Sequence, residues 1–141
     1  MRDTLRMMPQ AEGPSASSRY VFVYGTLRAG GSNDIARWLP RPHFIGMAQI
    51  AGTLYDLGAY PGARLGGTAR VHGEVYRIER ELEANLDRLE EVLPNDEGEY
   101  LKREIEVQVG AQALRCLVYE IHPARVKSRL AIASGDWFRR P

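Results

Sequence analysis

One stretch of the chain, from Arg80 to Val92, has the periodicity of an amphipathic helix, and segments of β type lie on both sides of it. At about 100° per residue, its leucines and Leu93 share one face, and Pro94 is expected to end the helix. The predicted order is strand, short helix, strands, helix, hairpin and tail, with no repeat and no regular βαβ alternation. This order favours an α+β fold with a mixed or antiparallel sheet that can curl into a barrel.

The β-type segments are separated by turn signals. A first strand begins at Tyr20, and two more are expected in HFIGMAQIAG (43–52) and TLYDLG (53–58). A further strand begins at Val71, and the runs at 100–109 and 113–121, separated by Gly-Ala-Gln, predict a hairpin. The segment SNDIARWLP (32–40) predicts a short helix capped by Ser32 or Asn33, and the glycine-rich AYPGARLGGTA (59–69) is expected to be a loop.

Length and composition indicate one ordinary domain, from residue 19 to residue 141, after a mobile N-terminal extension of residues 1–18. The chain has 141 residues, a formal net charge of +1 and a single cysteine, Cys116. The charge balance gives no reason to expect nucleic acid or a membrane as a partner, and no apolar run could span a bilayer. We expect a cytoplasmic protein, and the sequence leaves open whether it is a monomer or a homodimer.

The first strand runs into the sequence YGTLRAGGSN (24–33), which contains the first candidate site. A glycine directly after a strand permits a sharp turn that exposes the N–H groups of Gly25, Thr26 and Leu27 to an anion. Arg28 could add a charged donor. A plain turn into the short helix explains the same letters and is favoured when they are taken alone.

The helix contains a second candidate. On a helical wheel Glu90 lies at the border of the leucine stripe, whereas Glu91 points away from it. A carboxylate at such a border can be partly desolvated, which raises its pKa and makes it a usable base. A solvated helix edge remains the simpler alternative. The three histidines lack the spacing of metal ligands, and no G-x-S-x-G motif occurs, so neither a metal nor a cofactor is predicted.

Taken together, seven pieces of the sequence resemble the γ-glutamylcyclotransferase-like family, which includes the AIG2-like proteins. In chain order the pieces are VFVYGTLRAG, GTLYDLGAYPG, VHGEVYRI, LDRLEE, YLKREIEV, CLVYE and SGDW. They extend from about Tyr20 to the C-terminus. YGTLR alone is moderately specific, and its combination with LDRLE and SGDW is strong.

The resemblance implies a small mixed β-barrel with flanking helices and release of 5-oxoproline from a small-molecule γ-glutamyl amine or amide. It places the catalytic glutamate at Glu90. It implies that the following residues bind the substrate: Tyr24, Gly25, Thr26, Leu27, Arg28, Asn33 and Tyr100. The chain departs from the family at Glu91, where glycine is common, and at Lys102, where arginine is common. A non-catalytic module that binds small carboxylates on the same scaffold stays open as an alternative.

Overall fold

Five strands form a single mixed sheet in the computed structural model, which describes residues 18–91 and 98–140. The strands are β1 (Ser18–Val23), β2 (His43–Asp56), β3 (Pro61–Glu79), β4 (Tyr100–Val109) and β5 (Gln112–Ile121). Their order is β2-β3-β1-β5-β4; β1 runs parallel to β5, and all other neighbours are antiparallel. The helix α1 (Arg80–Leu89) joins β3 to β4. The predicted α+β class with a mixed sheet is confirmed.

The sheet is curled but not closed. Its edge strands, β2 and β4, share no ladder of hydrogen bonds in the described part of the chain. They nevertheless approach each other, since a Cβ built on Gly46 would lie 2.7 Å from Cγ1 of Val109. The term barrel therefore describes this sheet only loosely.

Strand β1 is the centre of the core because it is buried on both faces. Alternate side chains of a strand point to opposite faces. Val21 and Val23 pack in one cluster with Leu82 and Leu86 of α1, whereas Phe22 packs in a second cluster on the other face. Burial on both sides explains why the second half of β1, residues 21–23, is continuously apolar. The chain leaves this rigid strand at Tyr24, where the candidate loop begins.

The prediction of a loop at 59–69 is wrong, because most of this segment belongs to β3. Residues 61–65 pair with β2. Strand β2 itself is a single strand, where the sequence predicts two, at 43–52 and 53–58. The glycines have other roles: a Cβ on Gly62 would lie 2.5 Å from the Cβ of Ile121, so strand packing requires glycine there. Gly66 and Gly67 have φ values of 102° and 83° and lie at the register shift opposite Ala51 and Gly52.

The helices are shorter than predicted. Helix α1 ends at Leu89, and the expected end near Leu93 and Pro94 lies outside the described residues. The short helix is a 3-10 turn at Ile35–Arg37, and its cap is Asp34, whose side chain accepts a hydrogen bond from the N–H of Ala36 at 2.9 Å. The β4–β5 hairpin is confirmed. No helix within the described ranges is both long and apolar enough to cross a membrane.

The expected N-terminal extension, residues 1–18, lies outside the described part of the chain except for Ser18, which begins β1.

Candidate functional site

A cavity of about 290 Å³ opens where the end of β1 meets the end of α1. The start of β4, the β2–β3 connection and Tyr119 of β5 complete its wall. Cavities of this size accommodate small molecules. Seven of the eight residues implied by the resemblance line it: Tyr24, Gly25, Thr26, Leu27, Asn33, Glu90 and Tyr100.

The loop after β1 is held through its carbonyl groups. The carbonyls of Gly25, Thr26 and Leu27 accept hydrogen bonds from the N–H groups of Arg28 (3.0 Å), Asn33 (2.9 Å) and Ile35 (2.9 Å). The N–H groups of Gly25, Thr26 and Leu27 donate to no atom of residues 18–91 and 98–140. The loop therefore presents a short row of backbone donors, an arrangement suited to a carboxylate or another anion.

Glu90 lies at the C-terminal cap of α1. Its N–H donates to the carbonyl of Leu86 at 2.9 Å, while its carboxylate accepts no hydrogen bond from the described residues. Part of the residue stays accessible through the cavity, but the surrounding protein desolvates the carboxyl group. Burial, followed by the negative charge of Glu99, raises the pKa of Glu90 to about 8. Such a carboxylate can exchange protons near neutral pH.

The raised pKa of Glu90 makes the stability of the protein depend on pH. Between pH 4.5 and about 8 the folded state binds more protons at this site than the unfolded state, so the free energy of unfolding falls as pH rises. We expect Glu90→Gln to remove this loss and to stabilise the protein by on the order of 2 kcal/mol near pH 9, with little gain near pH 4. Denaturant unfolding of both proteins at pH 4 and pH 9 measures the difference in the free energy of unfolding. An equal gain in stability at the two pH values would contradict the raised pKa of Glu90.

Two tyrosine hydroxyls fix the wall of the cavity. The hydroxyl of Tyr24 donates to the carbonyl of Tyr119 at 2.6 Å and accepts from the N–H of Ala63 at 3.1 Å. The hydroxyl of Tyr100 donates to the carbonyl of Pro61 at 2.7 Å. Burial is the main cause that raises the pKa of Tyr24 and of Tyr100, so both hydroxyls stay neutral. These side chains therefore support the cavity rather than carry charge into it.

Lys102 supports α1 from outside the cavity. Its Nζ donates to Glu83 at 2.5 Å and to Asp87 at 2.9 Å, and the hydroxyl of Tyr119 also donates to Asp87, at 2.6 Å. These bonds tie β4 and β5 to the helix that ends in Glu90. This chain has Lys102 where the family commonly has arginine, and the difference therefore affects how α1 is anchored.

Arg28 does not line the cavity. Its guanidinium is buried, donates to Glu74 at 3.0 Å and to Asp136 at 2.8 Å, and lies 4.5 Å from the ring centre of Phe138. Glu74 also accepts hydrogen bonds from the N–H of Ala29 and the hydroxyl of Tyr76, both at 2.9 Å. The cluster ties the loop to β3 and to the C-terminal segment SGDW (134–137).

Sequence reasoning missed several residues of the wall, including Glu99, Tyr60, Pro61 and Tyr119. Tyr60 and Pro61 lie in the segment that the sequence predicts to be a loop, and Glu99 is separated from the undescribed residues 92–97 by Gly98 alone. A single glutamate in a polar connection gives no pattern that could identify it. Within the described residues, no group of three His, Cys, Asp or Glu side chains could hold a metal ion.

The fold and the cavity define a small α+β domain in which a desolvated carboxylate shares one site with backbone donors that have no partner in the described part of the chain. The model of the family described as "Gamma-glutamyl cyclotransferase, AIG2-like" matches residues 21–139. The chain therefore belongs to this family, and we class it as an enzyme of the cyclotransferase type.

Similar proteins of known sequence and structure agree with this assignment. A Vibrio cholerae protein with a provisional gamma-glutamylcyclotransferase name is 42% identical over 122 residues, which are 85% of this chain and 96% of that protein. A Niallia circulans gamma-L-glutamyl-butirosin B gamma-glutamyl cyclotransferase is 37% identical over 64% of this chain and 57% of its own. The solution structure of Escherichia coli YtfP is 36% identical over 86% of this chain and 97% of its own, with a TM-score of 0.60.

Proposed function

We propose that this chain releases 5-oxoproline from a γ-glutamyl amine or amide, with Glu90 as general base and then general acid. The observation that carries the proposal is that one cavity contains a desolvated carboxylate and backbone N–H groups that have no hydrogen-bond partner among the described residues. Family membership supports the reaction type.

The reaction needs one group that first accepts a proton and then donates it. The Glu90 carboxylate removes a proton from the substrate's α-ammonium group, and the resulting amine attacks the γ-carbonyl carbon of the same molecule. The carbon–nitrogen bond to the leaving group then breaks as Glu90 returns the proton to the departing nitrogen. The attacking nitrogen, which still carries one proton more than the lactam N–H of the product, releases that proton, and the departing amine takes it up and leaves as an ammonium ion. A base works best when its pKa lies near the working pH, and the raised pKa of Glu90, about 8, suits this role near neutral pH.

The loop after β1 positions the substrate. In the proposed complex the N–H groups of Gly25, Thr26 and Leu27 bind the substrate's α-carboxylate, and Asn33 supports the loop through its bond to Oγ1 of Thr26 at 3.2 Å. Holding the α-amine beside the γ-carbonyl is the main source of acceleration in an intramolecular attack. The bonds of the three loop carbonyls keep this part of the chain fixed.

Incubation of the purified protein with γ-glutamyl amines and γ-glutamyl amino acids tests the proposal, with 5-oxoproline as the measured product. Turnover of at least one compound is expected. Absence of product from every compound would overturn the enzymatic proposal. If calorimetry then detected binding of glutarate, the alternative of a carboxylate-binding module would be supported, because the same backbone donors serve both functions.

We expect Gly25→Ala to weaken binding of the substrate. A Cβ at this position would lie 2.7 Å from Cγ of Pro61, so either the proline or the loop has to move. A shift of the donors should lower kcat/KM by about tenfold or more. Steady-state kinetics with circular dichroism as a check of folding measure this, and a folded variant with unchanged kcat/KM would argue against the loop as a binding element.

A further inference from the structure

The described lining of the cavity has acidic side chains and no cationic one beside them. Its described lining contains two ionisable carboxylates, Glu90 and Glu99, and no lysine, arginine or histidine. A ligand that brings a second carboxylate into this space would meet repulsion, whereas a ligand that brings an ammonium group would be attracted.

Glu99 is held in a defined position at the wall. Its backbone N–H donates to the carbonyl of Glu91 at 3.2 Å, and its carbonyl accepts from the N–H of His122 at 2.9 Å. Its carboxylate accepts a short hydrogen bond from the hydroxyl of Tyr60, another lining residue. One oxygen of Glu99 is therefore oriented by Tyr60, and further lone pairs remain available to a ligand.

The charged residues around Glu99 and Tyr60 favour the binding of a cation in the cavity. The charges of Glu91 and Arg125 both act on the hydroxyl of Tyr60, and Arg125 is the one cation among the described residues that does so. Arg125 is exposed and does not line the cavity, so solvent screens its charge more than that of Glu99.

The proposed reaction brings the leaving group to the side of the cavity where Glu90 lies, and Glu99 is near enough for its charge to act on Glu90. Glu90 has to reach both the α-amine and the leaving nitrogen, so the leaving group begins at Glu90. With the substrate's α-carboxylate at the loop amides, Glu99 is the remaining charged side chain of the described lining that the leaving group can meet.

We propose that Glu99, oriented by Tyr60, is a specificity-determining residue that selects γ-glutamyl conjugates whose leaving amine carries an additional positive charge. This inference rests on the proposed function for the identity of the glutamyl part. The recognised chemistry is an ammonium group a few bonds beyond the amide, as in conjugates of diamines.

Three conjugates with the same four-carbon leaving chain test the inference: γ-glutamyl putrescine (cationic), γ-glutamyl butylamine (neutral) and γ-glutamyl-γ-aminobutyrate (anionic). We expect the native protein to prefer the cationic over the neutral conjugate by about tenfold in kcat/KM, since hydrogen bonds to charged groups contribute more than neutral ones. Glu99→Gln should bring this ratio close to one and improve the relative rate of the anionic conjugate. Tyr60→Phe should give an intermediate ratio.

For each variant, kcat/KM of the cationic conjugate is divided by that of the neutral conjugate at the same pH. A change in the proton affinity of Glu90 then affects both conjugates alike. Glu106→Gln is the matched control, because it removes the same charge from an exposed position on β4 and should keep the native ratio. The inference is overturned if the native protein shows no preference or if Glu99→Gln keeps it.

Glutaryl amides of the same three amines, which lack the α-amine and cannot cyclise, separate this inference from the proposed function. Calorimetry measures their binding to the native protein and to Glu99→Gln. Charge-ordered binding without turnover of any conjugate would remove the proposed reaction and retain the role of Glu99. Turnover with binding that ignores charge would retain the reaction and remove the role of Glu99.

Discussion

Replacement of Glu90 by glutamine is expected to lower kcat/KM for 5-oxoproline release by about 10²- to 10⁴-fold, the usual contribution of a general acid–base group. Glutamine has nearly the same shape but cannot accept the proton of the α-ammonium group. The loss should appear in kcat as well as in kcat/KM, because proton removal precedes attack within the bound complex. Steady-state production of 5-oxoproline by the two proteins measures it.

Glu91→Gln is the matched control for this prediction. Glu91 is the adjacent carboxylate, but it is exposed, does not line the cavity and has a φ of 53°. Its replacement should leave kcat/KM close to that of the native protein. Full activity of Glu90→Gln would remove Glu90 from the proposed role, and equal losses in both variants would indicate a general electrostatic effect rather than proton transfer.

The sequence could predict which of these two glutamates borders the core, although the geometry differs from the one assumed. The helical wheel treated both as helical, whereas α1 ends at Leu89 and Glu90 is its C-terminal cap. The preference for Glu90 survives because its N–H still makes the helical hydrogen bond to the carbonyl of Leu86, at 2.9 Å. Its own backbone angles, φ −84° and ψ 1°, lie in the bridge region beside the helical one. Glu91, in the left-handed region, turns the chain away.

The parts of the site that sequence patterns could not predict depend on contacts between distant segments. Tyr60 and Pro61 reach the cavity because residues 61–65 pair with β2, and the glycines that permit this pairing look like loop residues when the chain is considered alone. Gly62 is required by Ile121, which is far away in the sequence. The role of Arg28 was equally hidden, because its partners Glu74 and Asp136 come from two other parts of the chain.

Arg28→Met is expected to lower the free energy of unfolding by about 3–5 kcal/mol, because removal of one partner of a buried ion pair leaves an uncompensated charge. Arg28 and Glu74 are only 4% and 3% exposed. Methionine keeps much of the side-chain volume, so the loss comes mainly from Glu74 and Asp136. The double variant Arg28→Met/Glu74→Gln should recover part of this stability, since glutamine removes the buried charge and can still accept from Ala29 and Tyr76.

Urea unfolding of the two variants, with Arg129→Met as the matched control at an exposed position, measures these effects. The control should stay within about 0.5 kcal/mol of the native protein. Because the Arg28 cluster also fixes the loop that carries the backbone donors, the same variants distinguish support of the loop from direct contact with substrate. Loss of substrate binding with native stability in Arg28→Met would assign the guanidinium to the ligand, as the resemblance alone implied, whereas a loss of both that Glu74→Gln partly restores would assign it to the loop.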